Sequence, residues 1–460
     1  MMRTFSLTEA ARWLGAQSPG NDASFGKVST DTRTIQPGDL FVALRGERFD
    51  GHRFLAEAVE AGASALVVDT LVPSITVPQI QVEDTTEALA ILAFGNRRES
   101  KARFVAVTGS SGKTTVKEML ASMLRGAGET LATRGNLNNH IGVPLTLFEI
   151  APEHQFAVIE LGASGVGEIA HTVAITQPDV VIITNAGEAH LEGFGSYENI
   201  VAAKGEIIDG VIAGGTVVLN RDDPAYDVWR NRAGERKVVS VGFGAQGSAD
   251  YTCETLTSGG TEQAVRLNGP DRWTCDITLP LLGHHNLTNA LLAVAAVREL
   301  GIDDHCIQAG LSALAPVPGR LQSIDLAPGV TVIDDSYNAN PTSMKAALEV
   351  LSKSAGLRVA VLGTMAELGE EAGRLHEQIG TAARELGIET LVVIGEHSEA
   401  YRKGFGGHTV VCSDHEDAIN YVEKQLAAPV RVLVKGSRSS AMNVVVEGLK
   451  NKVKNSCCSG

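Results

Sequence analysis

The chain is predicted to be an α/β protein of three domains: a small N-terminal α/β unit, a central unit on a parallel sheet and a C-terminal Rossmann-like unit. Three observations predict this. At 460 residues the chain exceeds what one hydrophobic core usually fills. From about residue 100 onward, short apolar runs alternate with helical ones, which is the rhythm of a mostly parallel sheet. Two stretches interrupt that rhythm, the polar, basic NRRESKAR at 96–103 and APVPGR at 315–320, whose prolines and glycine break any regular element. The expected domains are therefore 1–98, 99–314 and 315–460.

In the first domain an amphipathic stretch at 7–14 precedes apolar strand candidates at 40–44, 65–68 and 80–82. In the second, runs at 104–107, 157–161, 180–184 and 217–220 read as strands, and LTNALLAVAAVREL at 287–300 is apolar nearly all round, as a deeply packed helix is. In the third, VTVID, RVAVLG, TLVVIG, HTVV and VRVLVKG recur with helical runs between them. There is no internal repeat, and the 49 glycines follow no period, so they suit tight turns between strands and helices rather than a fibrous chain.

A net charge of −15 disfavours a broad grip on nucleic acid or an anionic membrane, so an anionic ligand must find local positive sites. Neither a signal-type apolar core near Arg3, Glu9 and Arg12 nor a membrane-length run is present, and the expected location is the cytoplasm. Six cysteines without a CxxC pair make neither a disulfide framework nor a zinc site. Cys253, Cys275, Cys306 and Cys412 read as ordinary buried or half-buried residues, and Cys457 and Cys458 as part of a disordered polar tail without a role.

The sharpest local signal is FVAVTGSSGKTT at 104–115, a strand running into a glycine-bearing loop and then a helix. Backbone NH groups around Gly109, Ser110, Ser111 and Gly112 can turn toward a polyphosphate, since glycine permits the turns and lets oxygens approach closely. Lys113 would bridge the outer phosphates and Thr114 would offer its hydroxyl to Mg²⁺, with Thr108 and Thr115 flanking the loop. The usual GxxxxGK[ST] form would require glycine at Val107; this is the shorter TGxxGKT form. Val116, Met119, Leu120, Met123 and Leu124 give the following helix one buried face.

Glu160 ends the strand candidate AVIEL, and His190 follows VVIIT in TNAGEAHLEGFGS. Ligands of an open parallel sheet bind beyond the carboxyl ends of its strands, so both residues would face the nucleotide. Lys204, in AAKGEII, reads from its neighbours alone as a surface lysine on a helix.

Taken together and in order, these motifs resemble the Mur ligase family over essentially the whole chain. The resemblance implies a phosphate loop in TGSSGKTT, metal-binding Glu160 and His190 in ELGAS and TNAGEAHLEGFGS, and in AKGE a Lys204 that becomes a carbamate and joins Thr114, Glu160 and His190 at the metal. It places Asn286 and Asn289 of GHHNLTNALLA near the nucleotide base, where helix capping is the alternative. Arg320 and Asp335, from PGRLQ and DDSYNANPTSMKAAL, would hold the nucleotide's phosphates and ribose, and Asn338 and Asn340, before Pro341, would contact a dipeptide. STDTRTIQPGDLFVALRGERFDGHRFL at 29–55 is similar to the family's uridine-diphosphate module, with Ser29, Thr30, Asp31, Arg33, Gly46, Asp50, Gly51 and His52 as its contacts.

The implied activity is ATP- and Mg²⁺-dependent amide ligation through an acyl phosphate. DDSYNANPTSM and LGTMAELG point to the member that adds D-alanyl-D-alanine to UDP-N-acetylmuramoyl-tripeptide, and no DNPR-type stretch of the tripeptide-forming member is present. The alternatives are another amide ligase of the family, a folate polyglutamate synthetase, or a nucleotide-hydrolysing switch, which would leave the first and third domains unexplained. A monomer is expected.

Overall fold

In the computed structural model, the described residues are 2–457 except 21, 47–48, 245–247, 260–261 and 427–428. Three parallel or mostly parallel sheets follow one another along the chain, as the alternation of apolar and helical runs requires. The first has four strands, Val28–Ser29, Leu40–Val42, Ala65–Val68 and Gln79–Gln81, all parallel and in that order. The helix Leu7–Trp13 opens with a reciprocal capping box between Ser6 and Glu9, and Asp84 caps Thr85–Glu99.

The central sheet has six parallel strands in the spatial order Thr130–Ala132, Phe156–Glu160, Arg103–Thr108, Val180–Ile183, Thr216–Asn220 and Lys237–Val241. Register decides what this sheet presents. Glu160 pairs with Val107 and Ile183 with Thr108, so three adjacent strands end level with one another. The helix His284–Glu299 is buried from Ala290 through Val297 and packs with Lys113–Arg125 on one face of the sheet, as its all-round apolar sequence predicts.

A three-stranded antiparallel sheet, Thr252–Gly259, Glu262–Asn268 and Thr274–Leu279, was not anticipated. Its signal is a period of two, visible in Val265 and Leu267 and in Cys275, Ile277 and Leu279, all buried. The third sheet runs Gln322–Ala327, Val330–Asp335, Val430–Lys435, Leu357–Leu362, Thr390–Ile394, Thr409–Cys412, with only the first strand antiparallel.

NRRESKAR, where the first domain is expected to end, is packed rather than free: Asn96 is buried and its amide donates to Leu147 O and Ile150 O, while Arg97 donates to Thr176 O and stacks on Phe104. One apolar core therefore continues from the first sheet's helices into the central sheet. The tail is helical through Cys457 rather than disordered, and Cys458 lies outside the described residues. The other four cysteines are free, three of them buried, as expected. Among the described residues no helix is long and apolar enough to cross a membrane.

Replacing Asn96 with Ala strands two main-chain carbonyls in the shared core. The expected cost is about 1–3 kcal/mol, read as a lower midpoint of denaturant unfolding, with the phosphate loop's ligand affinity unchanged.

Candidate active site

The level strand ends of the central sheet form the floor of a cleft of about 740 Å³, and residues of the third domain form its opposite wall. Ser110 through Thr115 line the floor. Gly112 has φ +81°, and a Cβ there would stand 2.7 Å from Asn289 Oδ1, so both the turn and the close approach of Asn289 require glycine. Thr108 lies beneath the loop, fully buried, its hydroxyl donating to Leu161 O. Ser110 Oγ and the Gly187 backbone exchange hydrogen bonds, and Ser111 N donates to Asn185 Oδ1, which fixes the loop against the strand end beside it.

Lys113 Nζ donates to Gly109 O at 2.6 Å. Burial lowers its pKa, Glu160 opposes that and Arg320 adds to it. Glu160 is buried. It accepts from Thr114 Oγ1 at 3.0 Å and from Asn138 Nδ2 at 2.8 Å. Asn138 was missed in the sequence, where the run NLNN after a strand is its only signal.

Among the described residues no three His, Cys, Asp or Glu side chains converge into a metal cage. Magnesium does not need one, because it retains water and phosphate oxygens and takes only one or two carboxylates. The Thr114 hydroxyl and the Glu160 carboxylate, adjacent and beside the phosphate loop, fit that demand.

Lys204 is not the surface lysine its neighbours suggest. It is buried behind the cleft wall on the helix Tyr197–Asp209, with a long 3.4 Å hydrogen bond to Ala163 O and the Phe194 ring 5.0 Å away. Burial, reinforced by the Lys113 charge, pushes its pKa down to about 7. His190 lines the cleft and its Nδ1 meets Glu367 Oε2 of the third domain. Burial lowers its pKa, against the pull of Glu367.

Asn286 and Asn289 are buried on the cleft wall inside the first turns of their helix, whose cap is Gly283 without a side-chain bond, so capping does not account for them. Asn286 donates to Leu282 O and Asn289 to Asn286 Oδ1. Across the cleft, Arg320 lies over the Tyr337 ring at 4.4 Å. Asp335 accepts from Lys435 Nζ at 2.5 Å and from Leu321 N at 3.1 Å. Lys435, which also donates to Asn338 O, was overlooked although it ends a strand just as Glu160 does. Asn338 and Asn340 both line the cleft, but Asn340 is also the cap of helix Pro341–Ser352, accepting from Ser343 N. Asp223, also missed, is a buried cleft residue whose pKa burial raises to about 6.

The residues assigned to uridine diphosphate stand apart, and none lines this cleft. Asp31 caps the turn Thr32–Thr34 and pairs with the exposed Arg33. Ser29 Oγ meets Thr34 Oγ1, next to Thr30. Gly46 lies in the strand Arg45–Gly46 paired with Phe49–Asp50, and residues 47–48 of the GERFDGH turn lie outside the described residues. His52 bonds Asp50 through Nδ1 and accepts from Asp69 N, and a Cβ on Gly51 would press on Leu44 N at 2.9 Å.

Comparison with known proteins follows the same three-part division. The family descriptions "Mur ligase family, catalytic domain", "Mur ligase middle domain" and "Mur ligase, glutamate ligase domain" match residues 25–97, 107–297 and 319–438. A relative from Escherichia coli (strain K12), UDP-N-acetylmuramoyl-tripeptide–D-alanyl-D-alanine ligase, is 44% identical over 455 residues, 98% of this chain and 99% of its own. This chain belongs to the Mur ligase family. Two solved Mur ligases superpose along its length. The crystal structure of MurF from Acinetobacter baumannii has a TM-score of 0.91 at 35% identity, covering 98% of this chain and 99% of that one. MurF ligase from Thermotoga maritima in complex with ADP has a TM-score of 0.84 at 29% identity, covering 93% and 98%.

Lys113→Ala in this Mur ligase removes a cation whose burial already opposes its charge. Thermal melting is expected to stay near the parent while nucleotide turnover falls by about a hundredfold to a thousandfold; near-normal turnover would remove the phosphate loop from the chemistry.

Proposed function

We propose that this chain is an ATP-dependent ligase that joins D-alanyl-D-alanine to UDP-N-acetylmuramoyl-tripeptide in peptidoglycan precursor synthesis, releasing ADP and phosphate. The observation that carries the reading is one cleft with a phosphate loop on its floor and Arg320, Asp335 and Asn338 on its facing wall. The substrates follow from the printed name of the Escherichia coli relative, and ATP from the ADP complex of the Thermotoga maritima enzyme.

A carboxylate resists amines because its charge repels them and oxide is a poor leaving group. Phosphoryl transfer from ATP to the tripeptide carboxylate gives an acyl phosphate, with Lys113 offsetting charge that grows on the transferred group. The dipeptide amine then attacks the acyl carbon, and the carbon–oxygen bond to phosphate breaks. The work of the protein here is positioning and charge stabilisation. When bound, Mg²⁺ supplies a positive charge shared by the phosphate oxygens. Thr114 and Glu160 would hold it with His190 and a carbamylated Lys204.

The burial of Lys204 supports that last assignment. An ammonium with one long hydrogen bond is costly to bury, whereas its neutral amine can add CO₂ and become an anion with oxygen ligands suited to a hard cation. Asn286 and Asn289 would meet the base, Arg320 and Asp335 the phosphates and ribose, and Asn338 and Asn340 the dipeptide. Residues 1–98 would bind the uridine nucleotide through Ser29, Thr30, Asp31, Arg33, Gly46, Asp50, Gly51 and His52, leaving 99–314 for ATP and 315–460 for the dipeptide. The chain would act as a cytoplasmic monomer.

Incubation with ATP, Mg²⁺ and UDP-muramoyl tripeptide, with D-alanyl-D-alanine or single D-amino acids supplied in parallel, tests the reading by product mass. A pentapeptide product formed only with the dipeptide is expected; ADP release without any coupled product would sink it. Arg33→Ala is expected to raise the KM for the uridine substrate about tenfold and leave that for ATP within about twofold. Equal weakening of both would argue against a separate uridine module. Lys204→Ala is expected to lose most activity and to regain part of it with acetate or propionate; full activity without added carboxylate refutes the carbamate.

A further inference from the structure

LGTMAELG has no part in the chemistry described so far, yet it carries Glu367, which reaches across the domain boundary to His190. Both residues hold left-handed backbones, φ +61° at Glu367 and φ +56° at His190, in a region that side chains disfavour. Such conformations persist only where the surroundings impose them.

The surroundings of Glu367 are firm. His376, fully buried, accepts from Met365 N at Nε2 (2.9 Å) and donates from Nδ1 to Ala372 O (2.6 Å), tying together the two ends of the loop that holds Glu367. Further contacts cross the same boundary: Glu192 N donates to Glu367 O at 3.2 Å, and Leu191 packs on the third domain's core. Stability does not explain the pair, because the Glu367 side chain is 57% exposed and exposed ion pairs contribute little.

A carboxylate only accepts, so the contact places a proton on His190 Nδ1 and leaves Nε2 as the ring nitrogen with a free lone pair. Carboxylates bonded to the far nitrogen of a metal-binding histidine orient it in this way. We infer that Glu367 is a positioning residue that sets the His190 ring for the cation, and that, because it comes from the third domain, the cation site is completed only when that domain closes on the central one. The inference rests on the reading of His190 given above.

Glu367→Gly separates the carboxylate from the backbone, since glycine suits φ +61° and relieves the strain. In the full chain, E367G is expected to melt at or above the parent temperature. Its Mg²⁺ concentration for half-maximal turnover should rise by about tenfold or more, with KM for the uridine substrate within about twofold. Energy transfer between fluorophores introduced at the exposed positions Val228 and Val444, without metal or nucleotide, should report a smaller closed population. E367Q keeps an acceptor for Nδ1 and is expected to recover much of the loss; E367Q no better than E367G overturns the inference. An E367G chain with parental Mg²⁺ requirement and parental energy transfer also overturns it, and if the parent itself needs no divalent cation, the metal reading of His190 fails first.

Discussion

The parallel register of the central sheet is the constraint from which the site follows. Because Glu160 stands level with Val107 and Ile183 with Thr108, three neighbouring strands release the chain at one height. A phosphate loop, a buried carboxylate and the His190 loop then begin side by side. Shifting the strand that ends in Glu160 by one residue would turn its carboxylate to the other face of the sheet, away from Thr114. The same geometry brings Lys113 and Glu160, of opposite charge, to one end of the cleft, with Glu160 buried and Lys113 half-buried. Each charge lowers the cost of burying the other, and an incoming polyphosphate and cation extend that balance.

Much of this was legible in the sequence. Alternating apolar and helical runs gave the central and third sheets, because a strand buried on both faces needs a continuous apolar run and little else. Glu160 and His190 were legible as polar residues at the ends of such runs. Part of what escaped has one physical cause, namely partners distant in sequence. NRRESKAR reads only as a break in the rhythm because nothing local reveals that Leu147 O, Ile150 O and Thr176 O wait for Asn96 and Arg97. Lys204 looks solvated because a single helix does not disclose what covers it. Lys435 was passed over although strand-end charge, the criterion applied to Glu160, would have found it.

The short strands Thr130–Ala132 and Gln322–Ala327 and the antiparallel sheet escaped for another reason. They are half-exposed or edge elements whose signal is an alternation of two, easily lost among Thr, Ser and Glu. Their absence from the sequence reading cost little, since none of them carries a residue assigned to the cleft. The uridine set is the opposite case. Its members form local turns and ion pairs that would hold without any ligand, so the proposal of a uridine role for them rests on the resemblance and not on their geometry.

The central claim is that the cleft activates a carboxylate by phosphorylating it, and isotope transfer tests this most directly. UDP-muramoyl tripeptide carrying ¹⁸O at both oxygens of its terminal carboxylate is converted with ATP and D-alanyl-D-alanine, and the released phosphate is weighed by mass spectrometry. An acyl phosphate requires that the bond broken by the amine lie between carbon and the former carboxylate oxygen, so each phosphate should carry one ¹⁸O. Phosphate without label, released in step with product, would contradict the account.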